Sequence, residues 1–315
     1  MNSVLQKISD IGIVPVIAIN DVEKAVPLAK ALVKGGISCA EVTFRTACAE
    51  EAIKRITKEV PEMLVGAGTV LTCEQLDRAV AAGSKFIVSP GFNPTVVKYA
   101  LSKGVLMTPG TATPGEMEQA MELGLEVVKF FPAERNGGVA KIKAVCGPYT
   151  KLKFMPTGGI NANNLLDYIA YDRVIACGGS WMVNSKLIDE GNFDEITRLT
   201  KEAVKTMLGF KMVHIGINTK NEKEAMNSAK LLSSMFDFDI QEGNSSIFAG
   251  DRSIEIMKKP FLGKNGHIAI RTNTLHRAVA YFKKKGFEFD ESTMSPKAVY
   301  FKDEIAGFAI HLLQK

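Results

Sequence analysis

A chain of 315 residues, 46% hydrophobic and 23% charged, has room for about two domains and a sizeable core. No run approaches a membrane span, and residues 1–20 lack a basic start, an apolar core and a cleavage site, so a cytoplasmic location is expected. The net charge of +5 suits an anionic small substrate without arguing for nucleic acid, while Cys39, Cys48, Cys73, Cys146 and Cys177 form no C-x-x-C pair and are expected to be small buried residues, neither disulfides nor thiolate metal ligands.

From the start to about residue 209, strand-like and helix-like segments alternate regularly. Strands are expected at 12–18, 39–44, 63–67, 85–89, 105–108, 126–130, 153–156 and 173–177. Helices follow each: one capped by Asp21 and ending near Gly35-Gly36, one through Lys58, and one from Thr72 to Ala82. The next run from Pro94 to Lys103, Pro114 to Leu123, Gly138 to Val145 and Ala162 to Ala170, and a long one from Ser185 to Leu208. Eight β/α units of this compactness predict an α/β fold, a TIM (β/α)8 barrel, whose chemistry would sit at the C-terminal ends of the strands.

The polar residues fall at those ends. Lys129 sits inside the apolar run Glu126-Val-Val-Lys-Phe-Phe-Pro132, where a buried ammonium must be paired, hydrated or deprotonated for use. A desolvated lysine can attack a carbonyl to form a Schiff base; a strand-end lysine reaching solvent is the plainer alternative. Glu41, Thr43 and Arg45 share one face of the second strand and its exit, as a structural ion pair or as a general base beside a cationic substrate-holding group. Gly66-Ala-Gly-Thr69 ends the third strand with glycines that would let backbone approach a ligand or merely form a tight turn. Thr157-Gly158-Gly159 and Gly178-Gly179-Ser180 are read as loops after the seventh and eighth strands, where such barrels bind phosphate.

These segments together resemble the 2-keto-3-deoxy-6-phosphogluconate (KDPG) aldolases, which overlap with the 4-hydroxy-2-oxoglutarate (KHG) aldolases. The resemblance spans about residues 5–208. It rests on Glu41-Val-Thr-Phe-Arg45-Thr, Gly66-Ala-Gly-Thr69-Val, Ser89-Pro90-Gly91-Phe, Thr108-Pro-Gly110, Val128-Lys129-Phe-Phe131-Pro132-Ala, Pro156-Thr-Gly-Gly-Ile160 and Gly178-Gly-Ser-Trp181. It implies a class I aldolase in which Lys129 forms the imine and Glu41 moves protons, through a water. Arg45, Thr69 and Lys129 would contact the carboxylate and keto end of the substrate, and Pro90 and Phe131 would also bind substrate. Thr157, Gly158, Gly159, Gly179 and Ser180 would hold the distal, often phosphorylated end. It further implies a homotrimer, no metal, and release of pyruvate with glyceraldehyde 3-phosphate or glyoxylate.

After Gly209 the alternation stops. Lys211–Ile217 is strand-like, Glu222–Phe236 helical, and three short strands lead to Met257. Gly266–Ile270, Thr274–Lys285 and strands through Glu288, Val299–Phe301 and Gly307–Leu313 repeat the pattern, so residues 210–315 are expected to be an α+β paired βαβββ domain. The repeat resembles the glyoxalase/vicinal-oxygen-chelate family over about residues 211–315. That resemblance implies a possible divalent metal held by His214, Glu255, His267 and His311, with His311 departing from the more usual glutamate. Imidazole and carboxylate suit Zn²⁺, Ni²⁺, Mn²⁺ or Fe²⁺. A ligand-sensing or assembly module without catalysis is the alternative. Lys283-Lys284-Lys285 is read as a solvated helix end.

Overall fold

Short parallel strands alternate with helices up to Leu208 in the computed structural model, which describes residues 2–315. In chain order they are α1 (Ser3–Ile11), β1 (Ile13–Ile17), α2 (Ala25–Gly35), β2 (Cys39–Thr43), α3 (Ala49–Glu59), β3 (Leu64–Gly68), α4 (Cys73–Ala81), β4 (Phe86–Val88), α5 (Pro94–Ser102), β5 (Met107–Thr108), β6 (Gly110–Thr111), α6 (Pro114–Glu122), β7 (Val127–Phe130), α7 (Gly138–Val145), β8 (Lys153–Pro156), α8 (Leu165–Ile169), β9 (Cys177–Gly179), α9 (Ser185–Asp189) and α10 (Phe193–Leu208). The chain divides into two units, one ending at Met207 and one spanning Leu208–Lys315. Among the described residues no helix is long and apolar enough to cross a membrane.

The first unit is a barrel-like parallel α/β fold. One sheet runs β5-β4-β3-β2-β1-β9 and a second β6-β7-β8. They meet at two seams: Pro109, which has no amide to donate, separates β5 from β6, and bridges Phe154–Val174 and Thr157–Gly178 connect β8 with the last strand region. Local signals place the helices. Thr72 accepts from Gln75 N at 3.1 Å, and Thr113 with Glu116 forms a capping box before Pro114.

Helix α1 was not foreseen, and it settles which end is open. Its Leu5 and Ile8 pack with Val14, Cys39, Phe86, Val127 and Ile175, residues near the starts of strands. The N-terminal end is thereby filled with apolar side chains. Because strand residues alternate, Cys39 and Val127 lie one layer below Glu41 and Lys129 on the same faces.

Several sequence expectations are corrected. The helix expected over 185–208 is two helices, broken at Gly191, which sits at φ 68°, a left-handed conformation that favours glycine. Of the expected strand 173–177 only a bridge at Val174 and Cys177, the first residue of β9, are paired, and Gly178-Gly179 belong to β9 rather than to a loop. Helix α8 begins at Leu165, three residues later than expected, and Asp21 caps a short 3-10 turn ahead of α2. Cys48 and Cys73 are half-exposed, although Cys39, Cys146 and Cys177 are buried; all five are free thiols.

The second unit comprises β10 (Lys211–Asn218), α11 (Glu222–Phe236), β11 (Ile240–Glu242), β12 (Ser246–Ala249), β13 (Ile254–Met257), β14 (Gly266–Thr272), α12 (Leu275–Lys284), β15 (Phe289–Asp290), β16 (Ala298–Ile305) and β17 (Phe308–Gln314). They form one mixed sheet in the order β11-β12-β13-β10-β14-β17-β16-β15. Strands β10 and β13 pair in parallel, as do β14 and β17, and β10 joins β14 antiparallel at the centre. Asn221 caps α11 by accepting from Glu224 N at 3.0 Å, and Asp237 closes it in the left-handed region.

Candidate active site and candidate metal centre

Strands β2 and β7 each carry one charge in a buried run, and the fold brings the two together. Lys129 Nζ lies 3.3 Å from Glu41 Oε1, with side-chain exposures of 5% and 1%. Neither charge could be held so deep alone. Glu41 Oε2 is buried without a protein partner, so the carboxylate keeps one oxygen for another molecule. The Lys129 ammonium also sits 5.3 Å from the Phe131 ring centroid.

Room for the carboxylate comes from Gly68. A Cβ there would lie 2.1 Å from Glu41 Oε1, and one at Gly66 would lie 2.3 Å from the Phe86 ring. These glycines admit the side chains of neighbouring strands. Next to them Thr69 adopts φ 56°, an outlier for a β-branched residue. The Gly68 role was missed from sequence; a glycine at a buried mid-sheet position was its only signal.

The remaining expected residues lie at or just beyond the C-terminal ends of the strands. Thr43 donates to Ile17 O at 2.8 Å and accepts from Arg45 Nε at 3.1 Å, holding the exposed Arg45 at the exit of β2. The Pro90 carbonyl comes so near Gly110 that a Cβ would meet it at 2.1 Å, and Gly110 pairs with Lys129. Gly158 and Gly159 have φ of 97° and 85°, reachable without strain only by glycine. The carbonyls of Thr157 and Gly158 accept from Ala133 N and Glu134 N at 2.8 and 3.1 Å, and Asn164 Nδ2 donates to Gly159 O at 3.0 Å. In trans peptides the amide opposes the carbonyl, so the N–H groups of Gly158, Gly159 and Ile160 are turned the other way. Thr157 Oγ1 is buried without a partner, facing Gly178. Gly179 leaves space for the Trp181 ring, and Ser180 is exposed at the end of β9. Burial, and next the Glu41 carboxylate, push the Cys39 thiol far above its usual range, so this neighbour is chemically quiet.

A family model described as KDPG and KHG aldolase matches residues 4–199. The chain belongs to this aldolase family. It is 51% identical over 205 residues to the 2-dehydro-3-deoxy-phosphogluconate aldolase of Treponema pallidum, covering 65% of this chain and 98% of the relative. It is 47% identical over 193 residues to the KHG/KDPG aldolase of Escherichia coli K12, covering 61% and 91%. The crystal structure of the Legionella pneumophila KDPG aldolase, with pyruvate captured as a covalent carbinolamine, superposes with a TM-score of 0.62 at 37% identity, covering 63% and 97%. The Zymomonas mobilis ZM4 enzyme with 3-phosphoglycerate gives 0.60 at 40%, covering 63% and 94%. The aldolase unit is a lyase of the Schiff-base type, and the family match ends before the second unit begins.

In that second unit the register of four strands gathers another cluster. Ring nitrogens of His214, His267 and His311 lie within 4.8 Å of one another. Glu255 Oε2 is 3.2 Å from His214 Nε2 and 3.1 Å from His267 Nε2. Ser246 donates to Glu255 Oε1 at 2.6 Å, which leaves Oε2 for the imidazoles. Burial pushes the Glu255 carboxyl up, but hydrogen bonds from His214, His267 and Ser246 outweigh it and hold it well below the usual range. His311 is 6% exposed and neither ring nitrogen has a partner. Burial, then the neighbouring His267 and His214, lower its pKa to about 3, so it stays neutral. Tyr300 stacks flat on it, with centroids 4.5 Å apart and planes at 10°. Gly216 admits the His267 ring, since a Cβ there would lie 2.1 Å from it. Gly216 and Ser246 were not singled out from sequence, because only strand register reveals what they face.

Proposed function

We propose that the aldolase unit closes as an eight-stranded (β/α)8 barrel, with β5 and β6 acting as one strand, and cleaves KDPG, KHG or both through an imine on Lys129. The observation that carries this is the buried 3.3 Å pair of Lys129 Nζ and Glu41 Oε1 at the open end of parallel strands. Glu41 takes a proton from Lys129, freeing the amine to attack the substrate C2 carbonyl; it then returns that proton to the carbinolamine hydroxyl, which leaves as water to give the iminium and restores the Glu41 carboxylate. Glu41, directly or through a water, then removes the C4 hydroxyl proton. The C3–C4 bonding pair flows into the iminium, an aldehyde leaves, and an enamine remains. Glu41 returns a proton to C3, and hydrolysis releases pyruvate. Arg45 and Thr69 bind the substrate carboxylate, with Pro90 and Phe131 walling the keto end. Thr157, Gly158, Gly159, Gly179 and Ser180 receive the distal group, the turned glycine amides supplying donors for a phosphate. A homotrimer is part of the same proposal. Borohydride with pyruvate should trap one adduct per chain that Lys129→Ala abolishes; an adduct surviving that substitution would sink the assignment. Relative kcat/KM on the two substrates decides between them.

A second reading concerns the other unit, which we propose is glyoxalase/vicinal-oxygen-chelate-like and holds a divalent metal. What supports it is the donor set: three clustered imidazoles, one with both nitrogens unpartnered, beside a carboxylate. These N and O donors fit Zn²⁺, Ni²⁺, Mn²⁺ or Fe²⁺, which would supply Lewis acidity toward a bound oxygen. Metal analysis of the full chain tests it: His267→Ala should lose the ion, and a chain that retains no metal in either form removes this reading.

A further inference from the structure

The sheet face that carries the histidine cluster also carries cations that no structural pairing explains. Along β14, His267, Ala269 and Arg271 alternate onto one face. Register sets Ala269 between His214 on β10 and His311 on β17, and sets Arg271 between Lys211 and Leu313 on the same two strands. Same-face neighbours along a strand are about 6.7 Å apart, so Arg271 stands one step from the row holding His214 and His311. Arg271 as a residue is half-buried, Lys211 is exposed, and among the described residues neither has a carboxylate partner. Elsewhere in this unit Lys258 pairs with Glu222 and Glu242, and Lys302 with Glu288. A guanidinium on this face without a carboxylate partner keeps its donors for the planar, bidentate recognition of an anionic ligand.

Aromatic rings flank the cluster on this face. Phe248 lies 6.3 Å from His214 on one side of the cluster. Tyr300 stacks on His311 on the other, with Phe261 against Tyr300 at 6.0 Å. Between these rings the polar groups are the three imidazoles, Glu255 and the cationic end of the face. We propose that this site binds a small 2-hydroxy or 2-oxo carboxylate, with Arg271 pairing to the acid group and the adjacent oxygen meeting the histidine–glutamate centre. The inference rests on the metal reading above and adds Arg271 as the specificity-determining residue. Aldol cleavage releases a 2-oxo acid, so the chain joins a unit that forms this class of molecule to one that binds it.

The test uses the full chain loaded with Co²⁺ and dialysed, titrated with lactate while visible cobalt absorption is followed. Lactate has no keto group and cannot form an imine at Lys129. Propane-1,2-diol supplies vicinal oxygens without the charge. Lactate should perturb the spectrum at concentrations at least tenfold lower than the diol. Arg271→Gln should weaken lactate at least tenfold while cobalt stoichiometry stays at that of the parent chain. Bound cobalt with equal responses to lactate and diol, or a lactate midpoint unmoved by Arg271→Gln, overturns the proposal and leaves the metal reading intact. If no cobalt is retained, the metal reading fails, and calorimetry of lactate on the metal-free chain decides the anion site. Arg271-dependent heat keeps it and no heat overturns it.

Discussion

Replacing Gly68 by alanine tests whether the position of Glu41, beyond its presence, sets the aldolase rate. The added Cβ would fall 2.1 Å from Oε1, 2.6 Å from Cγ and 2.7 Å from Cδ of Glu41, where ordinary contact begins at 3.4 Å. The carboxylate must therefore move by more than 1 Å, enough to break its 3.3 Å contact with Lys129. Glu41 is fully enclosed, so the clash costs about 1–3 kcal/mol of stability as overpacking. A displacement of about 1 Å lowers rates on the order of 10²-fold, or roughly 2.7 kcal/mol of barrier. Cleavage coupled to lactate dehydrogenase should show that loss in kcat, while pyruvate still traps on Lys129 with borohydride. In the Glu41→Gln background the glycine substitution should add little, because both act through one carboxylate. Gly66→Ala, whose Cβ strikes the Phe86 ring instead, controls for destabilisation alone. A folded Gly68→Ala protein with kcat within threefold of the parent would refute the reasoning.

Thr69→Gly relieves a left-handed threonine and should raise the melting temperature, with strain of about 1–3 kcal/mol at stake; if Thr69 also binds substrate, KM rises in the same variant. Gly216→Ala drives a methyl into the His267 ring, so metal content should fall at least tenfold with aldol cleavage unchanged; full metal retention would contradict the proposed centre. In metal-free protein, the unfolded chain protonates His311 near its ordinary pKa of 6.5, while the folded one refuses that proton until about pH 3. Its contribution is therefore complete above pH 6.5 and drains as pH falls toward 3. Thermal melts of the second unit between pH 7 and 4 should follow that slope, and a melting temperature flat over this range would count against it. Chelation should leave aldol cleavage within twofold, since an iminium takes up the electron pair; loss of cleavage with EDTA would contradict it.

Local chemistry made much of this molecule legible in advance. The alternation of short apolar runs with capped amphipathic segments follows from patterns within a few residues, so most strands and helices of the first unit and the repeat of the second could be placed from sequence. Lys129 and Glu41 stood out for the same reason: a charge inside an apolar strand violates the local pattern and demands a partner. That they are each other's neighbours, although 88 residues apart, is a property of strand order and register. The same holds for Gly68 against Glu41, Gly216 against His267, and Ser246 against Glu255, where the meaning of a small residue is the side chain it faces. The break at Gly191, the short β9 and the filling of the first unit's N-terminal end by α1 also escaped local reading. Each depends on how neighbouring elements pack, and packing is decided by contacts that sequence separation hides.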